Sequence, residues 1–202
     1  KDMGELIEKL NHDVQNHKLV VIAPHGGNIE PGTDLEEYVA NHFSCDRVSL
    51  WLCKGFSSKS NGQSNNDALE RWHITSTKIS EKSFPKLRSI IGNNPTFDYS
   101  IAFHGWTENS ICVGGNPHNP DADLKCDIRG AIMKALEEAN PDIKVHVSPC
   151  PEGNFNGDSP KNIVTRLGTN SIQIEQCKIA RTKYHDDIAR AVADVIGSRI
   201  NA

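Results

Sequence analysis

LVVIAPHGGNIEPGT, residues 19–33, carries the clearest structural signal in the chain. Its first five residues are aliphatic, which is typical of a strand buried on both faces. Pro24 ends that strand, because proline has no N–H to donate to a sheet. A polar turn with His25 and Glu30 follows, and a Thr-x-x-Glu capping box then predicts a helix from about Asp34. We therefore expect a buried strand to deliver an imidazole and a carboxylate to the edge of a sheet, where open α/β sheets place their sites.

Length and composition indicate one globular domain. The chain has 202 residues, of which 37% are hydrophobic and 24% charged, and this is enough apolar material for a sizeable core. We therefore expect residues 1–202 to form a single domain. The formal net charge of -4 at pH 7 argues against non-specific binding to nucleic acid or to anionic membranes.

Six cysteines are spread along the chain without a Cys-x-x-Cys pair: Cys45, Cys53, Cys112, Cys126, Cys150 and Cys177. A zinc site made of cysteines is therefore not expected, and we interpret most of these residues as reduced thiols in the core. The first residues lack a basic segment followed by an apolar one, so no secretory signal is predicted. No apolar run reaches the length of a membrane span, and synthesis in a cytoplasm is expected.

Strand-like and helix-like segments alternate along the chain. Apolar spacing and capping signals predict helices over residues 3–14, from 34 onward, and over 84–91, 122–139 and 183–196. Strands are predicted over residues 19–23, 47–53, 72–77, 98–103, 110–113, 143–147 and 171–175. Residues 54–67 and 150–162 are predicted to be long loops. This alternation indicates an α/β sandwich with a largely parallel sheet.

Two histidines follow aliphatic strands and precede glycine. His25 shares a loop with Glu30, and His104 ends the strand predicted over residues 98–103. Strands of a parallel sheet end at the same edge, so these three side chains can converge. A hydrolytic zinc ion takes three ligands of this kind and keeps a fourth position for water. The pattern favours a metal site, although the chain has nine histidines and a purely structural role for these two stays open.

Glu175 is the second unusual residue. It ends the last predicted strand, where an ionised carboxylate is costly without a partner or a task. A carboxylate beside a zinc-bound water can take its proton and pass it to a leaving nitrogen. The alternative is an edge-strand carboxylate that faces solvent, and the pattern does not decide between the two.

Three cations are candidates for binding a substrate carboxylate. Arg166 follows the second long loop, Lys78 follows a run of hydroxyl residues, and Arg181 lies six residues past Glu175. Arginine can grip a carboxylate with two parallel hydrogen bonds, and Arg166 is the preferred candidate. The alternative for all three is an ordinary solvated surface charge.

Nucleophilic catalysis has weaker support in the sequence. The segment His25-Gly26-Gly27 is similar to the oxyanion loop of esterases, but the chain has no Gly-x-Ser-x-Gly nucleophile elbow. A cysteine nucleophile such as Cys53 or Cys177 stays open, although neither lies in a recognisable elbow.

Five motifs occur together and in order across most of the chain, from about Leu19 to Arg181. They are Ala23–Thr33, His73–Thr77, Phe103–Gly105, Asn162–Arg166 and Ile172–Glu175. In this combination the sequence resembles the phage poly-γ-glutamate hydrolase family and its relatives among phage-related proteins of Bacillus. The resemblance implies a fold similar to zinc carboxypeptidases, which is a three-layer sandwich with an open, mixed and mostly parallel sheet between helices.

The resemblance also implies a zinc-dependent hydrolase with a single catalytic domain and one zinc ion. His25, Glu30 and His104 would be the metal ligands, Glu175 the catalytic base, and Arg166, Lys78 or Arg181 the substrate-binding cation. One departure concerns the first loop. Zinc carboxypeptidases space the first histidine and glutamate as His-x-x-Glu, whereas the gap here is two residues longer. The loop must therefore follow a different path to bring both side chains to one ion.

The implied reaction is hydrolysis of the γ-glutamyl amide bonds of poly-γ-glutamate, by which a bacteriophage would degrade a host capsule. The implied partner is this polymer, with no nucleic acid and no membrane, and we expect a monomer. We expect it to be made in the host cytoplasm without a signal peptide and released on host lysis to act outside the cell. Two alternatives stay open: a small-molecule amidohydrolase acting on N-acylated acidic amino acids, and a non-catalytic module that binds the polymer.

Overall fold

The computed structural model describes residues 4–12, 18–35, 42–43, 48–57 and 66–201. Its strands are β1 (Glu5–Asn11), β2 (Leu19–Gly27), β3 (Val48–Phe56), β4 (Phe97–Gly105), β5 (Ser110–Gly115), β6 (Lys144–Val147) and β7 (Gly168–Gln176). The described helices are α1 (Asn66–Trp72), α2 (Pro85–Arg88), α3 (Leu124–Glu137), α4 (Ile163–Leu167), α5 (Lys178–Lys183) and α6 (His185–Ile200). No helix within these ranges is both long and apolar enough to cross a bilayer.

The seven strands form one sheet in the order β1-β3-β2-β4-β7-β5-β6. The four central strands, β3, β2, β4 and β7, run parallel to one another. β1 pairs antiparallel with β3, and β5 pairs antiparallel with β7 but parallel with β6. The prediction of an open, mixed and mostly parallel sheet is therefore confirmed.

Helices cover both faces of the sheet. Alternate residues of a strand point to opposite faces, and in β4 Ile101 and Phe103 join one apolar cluster while Ala102 joins the other. The first cluster includes the buried faces of α3 and α6, and the second includes residues of α2 and α4. This arrangement is the predicted three-layer α/β sandwich.

The helix predicted over residues 3–14 is wrong in its described part. Residues 5–11 form β1, an edge strand whose Leu6 and Leu10 pack against the second apolar cluster. A spacing of four fits one turn of a helix, but it is also an even number, so both side chains share one face of a strand. Glu8 secures this edge, because its carboxylate accepts hydrogen bonds from Trp51 Nε1 at 2.8 Å and Leu87 N at 2.7 Å.

The strand predicted over residues 72–77 is also wrong. Trp72 ends α1, and residues 73–77 form a loop in which Lys78 N donates to Thr75 O at 2.7 Å. Tertiary packing here overrides the strand preference of a threonine-rich segment. The final predicted helix, over residues 183–196, corresponds to α6, and the short helix α5 that precedes it was not predicted. The helix predicted from about Asp34 lies largely in residues 36–41, outside the described ranges.

The expectation of reduced thiols needs a correction for two cysteines. Cys112 of β5 and Cys150 form a disulfide that ties the start of the second long loop to the sheet. Among the described residues, Cys53 and Cys177 are free and buried, as expected, whereas Cys126 is free and exposed. Even spacing along the sequence could not reveal the pair, because the sheet brings the two residues together across 38 positions.

Candidate active site

Three strands bring buried polar side chains to one edge of the sheet. His25 lies near the end of β2, His104 near the end of β4 and Glu175 near the end of β7. All three are buried, and the parallel register places His104 opposite Glu175. The sheet therefore brings together, at the carboxyl ends of its strands, side chains that are up to 150 positions apart in the sequence.

The loop after β2 brings Glu30 back beside His25. Gly27 adopts a left-handed conformation, with φ +67, and Asn28 N donates to Gly55 O of β3 at 2.8 Å. Glu30 N then donates to His25 O at 2.8 Å. The longer His–Glu spacing is thus taken up by a closed turn, and the two side chains meet with 3.1 Å between His25 Nδ1 and Glu30 Oε1.

A backbone contact selects the tautomer of His25. His25 Nε2 lies 2.8 Å from Ile74 O. A backbone carbonyl can only accept a hydrogen bond, so Nε2 carries a proton, and in the neutral ring Nδ1 then keeps its lone pair. That lone pair faces Glu30 and His104, whose Nδ1 is 3.2 Å away. This is the arrangement that a metal-binding histidine needs, with one nitrogen free and the other fixed by an outer partner.

Glu30 is an anionic centre among histidines. Burial by itself would raise its pKa, but the surrounding side chains of His104, His25 and His73 hold the pKa of this carboxyl well below its usual range. Its Oε2 accepts a hydrogen bond from Gly105 N at 2.8 Å and lies 3.7 Å from His104 Nδ1. For His104, burial lowers the pKa, which favours the neutral imidazole that can bind a metal.

The donor atoms have the spacing of a zinc site. With ligands at 2.0–2.1 Å in a tetrahedron, two ligand atoms should lie about 3.3 Å apart. The distances among His25, Glu30 and His104 are 3.1, 3.2 and 3.7 Å. His73 adds a fourth candidate, since its Nε2 is 3.6 Å from Glu30 Oε1, and His25, Glu30 and His73 offer ligand atoms within 4.8 Å of one another. The residues present therefore fit a single zinc ion.

Sequence reasoning missed His73 as a site residue. Its segment was predicted to be a strand, although it belongs to one of the ordered motifs. In the structure its ring stacks on that of His25, with 4.0 Å between the ring centroids, and its side chain is 36% exposed. The motif His73–Thr77, which begins with a histidine, was the signal in the sequence that could have identified it.

Glu175 faces the same space without joining the cluster of nitrogen donors. Burial and the neighbouring Glu30 raise its pKa well above the usual range, while a hydrogen bond from Gln173 acts in the opposite direction. Gln173 Nε2 donates to Glu175 Oε1 at 2.9 Å. A buried carboxyl with a raised pKa is suited to accept and return a proton.

A cavity of about 200 Å³ opens over these groups. One wall holds the histidines and both carboxylates, and a second is the hydroxyl-rich loop of Thr75, Ser76 and Thr77. The second long loop supplies the remaining wall through Asn154, Phe155, Gly157, Asp158 and Ser159. The disulfide between Cys112 and Cys150 anchors this last wall.

The predicted substrate-binding cations do not line the cavity. Arg166 NH2 pairs with Glu81 Oε2 at 2.9 Å, and Arg181 is buried behind Gly105, where its NH1 donates to Pro31 O at 2.5 Å. Lys78 is exposed and follows the wall residue Thr77 without lining the cavity itself. Among the described residues the lining contains no lysine or arginine.

Comparison with known proteins gives a family match over most of the chain. A family model described as poly-gamma-glutamate hydrolase matches residues 5–194. Two UPF0714 proteins of Bacillus subtilis (strain 168) are similar in sequence: YndL is 33% identical over 160 residues and YmaC is 27% identical over 179 residues. These alignments cover 78% and 87% of this chain but 52% and 64% of the relatives. The chain thus spans between half and two thirds of the length of the curated relatives it matches.

Solved structures share the fold. A bacteriophage poly-gamma-glutamate hydrolase has a TM-score of 0.69 at 21% identity, with 98% of this chain and 91% of that chain covered. The zinc-free apo form of YndL has a TM-score of 0.64 at 23% identity, with 96% and 90% covered. An N-acetylmuramoyl-L-alanine amidase from Clostridium difficile 630 has a TM-score of 0.51 at 14% identity, with 93% and 98% covered.

Proposed function

The chain belongs to the poly-γ-glutamate hydrolase family, and we propose that it is a zinc-dependent hydrolase of γ-glutamyl amide bonds. One observation carries the proposal. His25, Glu30 and His104 converge at distances that suit one zinc ion, and Glu175 stands beside them at the end of the neighbouring strand. Metal-assisted amide hydrolysis uses a cluster of imidazole and carboxylate ligands of this kind, together with an adjacent carboxyl that transfers protons.

His25 Nδ1, the Glu30 carboxylate and His104 Nδ1 would hold the ion, with His73 at its solvent side. Zinc bound there would polarise the amide carbonyl and lower the pKa of a water molecule to about 7. The fixed tautomer of His25 keeps its lone pair available, and the low pKa of Glu30 keeps its carboxylate charged. Both features prepare the site before any ligand arrives.

Glu175 would act as base and then as acid. It takes a proton from the water as the water oxygen attacks the amide carbon, and it returns that proton to the nitrogen as the C–N bond breaks. The products are a carboxylic acid and an amine, which at neutral pH become a carboxylate and an ammonium, so atoms and charge balance. Its buried position and raised pKa support this exchange, since an ordinary surface carboxyl would hold a proton too weakly.

Substrate orientation would depend on neutral donors more than on arginine. The hydroxyls of Thr75, Ser76 and Thr77 and the amide of Asn154 line the cavity, whereas Arg166 is paired with Glu81. Lys78 is the exposed cation next to this wall, and we propose that it meets the free α-carboxylates of the polymer at the entrance. The sequence-based preference for Arg166 is thereby replaced.

The biological setting completes the proposal. A monomer that shortens poly-γ-glutamate would allow a bacteriophage to remove a host capsule after release by lysis. The family match and the shared fold of the bacteriophage enzyme support this setting.

The test measures metal content and cleavage on the same preparation. We expect about one zinc per chain, shortening of poly-γ-glutamate in size-exclusion chromatography, loss of this activity with a chelator and its return with zinc. Glu175→Gln should retain zinc but lose activity by about 100-fold to 10,000-fold, which is the usual contribution of a general base. Cleavage by metal-free protein would refute the zinc proposal, and undiminished cleavage by the variant would refute the role of Glu175.

A small-molecule amidohydrolase is the second candidate, and the size of the cavity favours it. About 200 Å³ is less than the roughly 300–1,000 Å³ of most ligand sites. Parallel assays with the polymer and with N-acetylglutamate separate the two functions. A kcat/KM for N-acetylglutamate that exceeds the value for the polymer would replace the proposed substrate.

A further inference from the structure

Two amide side chains connect a helix terminus to Glu175. Asn162 precedes α4, and Gln173 lies two residues before Glu175 on the same face of β7. All three side chains are buried, with 3%, 5% and 4% of their surfaces exposed. Buried amides are costly unless every donor and acceptor is matched, so the direction of each hydrogen bond can be worked out.

The backbone fixes the orientation of Asn162. Its Oδ1 accepts from Val164 N at 3.1 Å and thereby caps α4. A backbone N–H can only donate, so the oxygen of this amide must face the helix. The Nδ2 group consequently faces Gln173, and it donates to Gln173 Oε1 at 2.7 Å.

Gln173 has no freedom to turn round. Its Oε1 is taken by the donor from Asn162, and its Nε2 lies 2.9 Å from Glu175 Oε1 and 3.4 Å from Phe155 O. The backbone oxygen of Phe155 can only accept a hydrogen bond, which requires the nitrogen on that side. The loop also packs closely here, since a Cβ on Gly157 would come within 2.7 Å of Gln173 Cβ.

We propose that Asn162 and Gln173 are positioning residues that form a one-way amide relay from the N-terminus of α4 to the Glu175 carboxylate. The relay, defined as these two side chains, holds Glu175 Oε1 in place by a hydrogen bond that is charge-assisted when the carboxyl is ionised to act as a base. Among the described residues no hydrogen bond to Glu175 Oε2 is found, so this oxygen is the one that faces water or substrate. The catalytic part of this inference rests on the proposed function of Glu175.

The relay predicts that two substitutions at position 162 that cap the helix equally well will differ in activity. Asp, Ser and Asn cap helices about equally well, so Asn162→Asp and Asn162→Ser should both preserve α4. Asp has no donor, however, and its second oxygen would face Gln173 Oε1. Gln173 would then turn its NH₂ towards position 162 and present its oxygen to Glu175. Ser is too short to impose this reversal and leaves Gln173 able to donate to Glu175.

The kinetic test compares these two variants on poly-γ-glutamate. We expect kcat to fall by about 10-fold to 100-fold for Asn162→Asp and by less for Asn162→Ser, with KM within about threefold of the parent value in both, because a charge-assisted hydrogen bond is lost only in the first. Gln173→Met keeps the length of the side chain without a donor and should resemble Asn162→Asp. If Asn162 had only a structural role, kcat should instead fall more for Asn162→Ser than for Asn162→Asp, because Asp is the closer match in shape to Asn.

A second readout does not need activity. In ¹⁵N-labelled protein, Glu175→Gln should shift the side-chain NH₂ signals of Gln173 and Asn162, and Asn162→Asp should shift the Gln173 signal even when α4 is intact by circular dichroism. If the parent fails to cleave the polymer but these shifts occur, the relay stands and the proposed function fails. If the parent cleaves but the Asp and Ser variants are equal, or their order is reversed, or the Gln173 signal does not move, the relay is refuted.

Discussion

Glu30 is the residue on which the candidate metal site depends. One of its oxygens faces His25, and the other accepts from the Gly105 backbone and approaches His104. His73 approaches the same carboxylate from the exposed side. Two triads therefore share His25 and Glu30, and they differ in whether a buried or an exposed histidine is the third ligand. The 3.2 Å distance between His104 Nδ1 and His25 Nδ1, together with the burial of His104, favours the buried one.

Metal content should distinguish the two histidines. We expect His104→Ala to bind zinc more than about 100-fold more weakly, beyond the 10-fold to 100-fold loss caused by removing an outer partner, whereas His73→Ala should retain about one ion. Titration with zinc, followed by elemental analysis after dialysis, measures both. The opposite result would assign the site to His25, Glu30 and His73.

Glu175 should cost the protein stability at neutral pH. Its pKa is raised in the folded protein, so deprotonation is harder there than in the unfolded chain, and stability falls as pH rises above the unfolded value of about 4.3. Glu175→Gln removes this penalty. With chelator present, denaturant unfolding should show the variant more stable than the parent at pH 7.5 and equal to it near pH 3.5. Equal stability at both pH values would contradict the assignment.

At the scale of elements, the second long loop owes its position to the disulfide between Cys112 and Cys150. The loop is also fixed by Asn156, whose Oδ1 accepts from Cys150 N at 2.6 Å and whose O accepts from Gly115 N at 2.7 Å. Phe155 then packs against Trp106, with 5.9 Å between the ring centroids. One wall of the cavity is therefore supported covalently and by backbone hydrogen bonds.

Loss of the disulfide should affect both stability and substrate binding. We expect Cys150→Ser to lower the free energy of unfolding by about 2–4 kcal/mol and to raise KM more than it lowers kcat, because the loop borders the cavity without contributing the proposed base or ligands. Cys126→Ser is the matched control, since Cys126 is free and exposed. Denaturant unfolding and steady-state kinetics measure the two effects. An unchanged KM would show that the second long loop keeps its position at the cavity without the disulfide.

Local patterns predicted some elements well and others poorly, for identifiable reasons. The continuous aliphatic run of β2 and the long apolar face of α3 have few alternative structures. The segment that forms β1 was ambiguous, since its leucines are four residues apart and suit either a helix or a strand. The loop containing His73 was assigned by composition, and no local rule reports that packing against His25 would keep it irregular.

At the scale of the whole molecule, the order of the strands in the sheet brings the candidate site residues together. β2, β4 and β7 are neighbours in the middle of the sheet, so their carboxyl ends adjoin although β7 is far away in sequence. The positions of His25, Glu30, His104 and Glu175 could be expected from the sequence because each follows or ends a strand. The position of Arg166 away from the cavity could not be predicted, because its guanidinium pairs with Glu81, a contact that no local pattern encodes.

The overall charge should make polymer binding depend on salt in a particular direction. The chain carries a formal net charge of -4 and poly-γ-glutamate is a polyanion, so the two repel at long range. Raising the salt concentration from about 10 mM to 150 mM shortens the screening length to about 8 Å, and KM for the polymer should fall severalfold. A γ-glutamyl dipeptide, which has the same kind of amide bond and few charges, serves as the control substrate. A KM for the polymer that rises with salt would indicate a basic binding surface instead.

Position 105 should tolerate only glycine while Arg181 is present, because no space is left for a side chain. Its N–H donates to Glu30, and a Cβ added there would come within 2.4 Å of Arg181 Nε. Arg181 is itself buried and donates to the carbonyl of Pro31, so it has little room to retreat. In a library that samples every amino acid at position 105, selection for activity should therefore recover glycine, and alanine should return only together with a smaller residue at position 181.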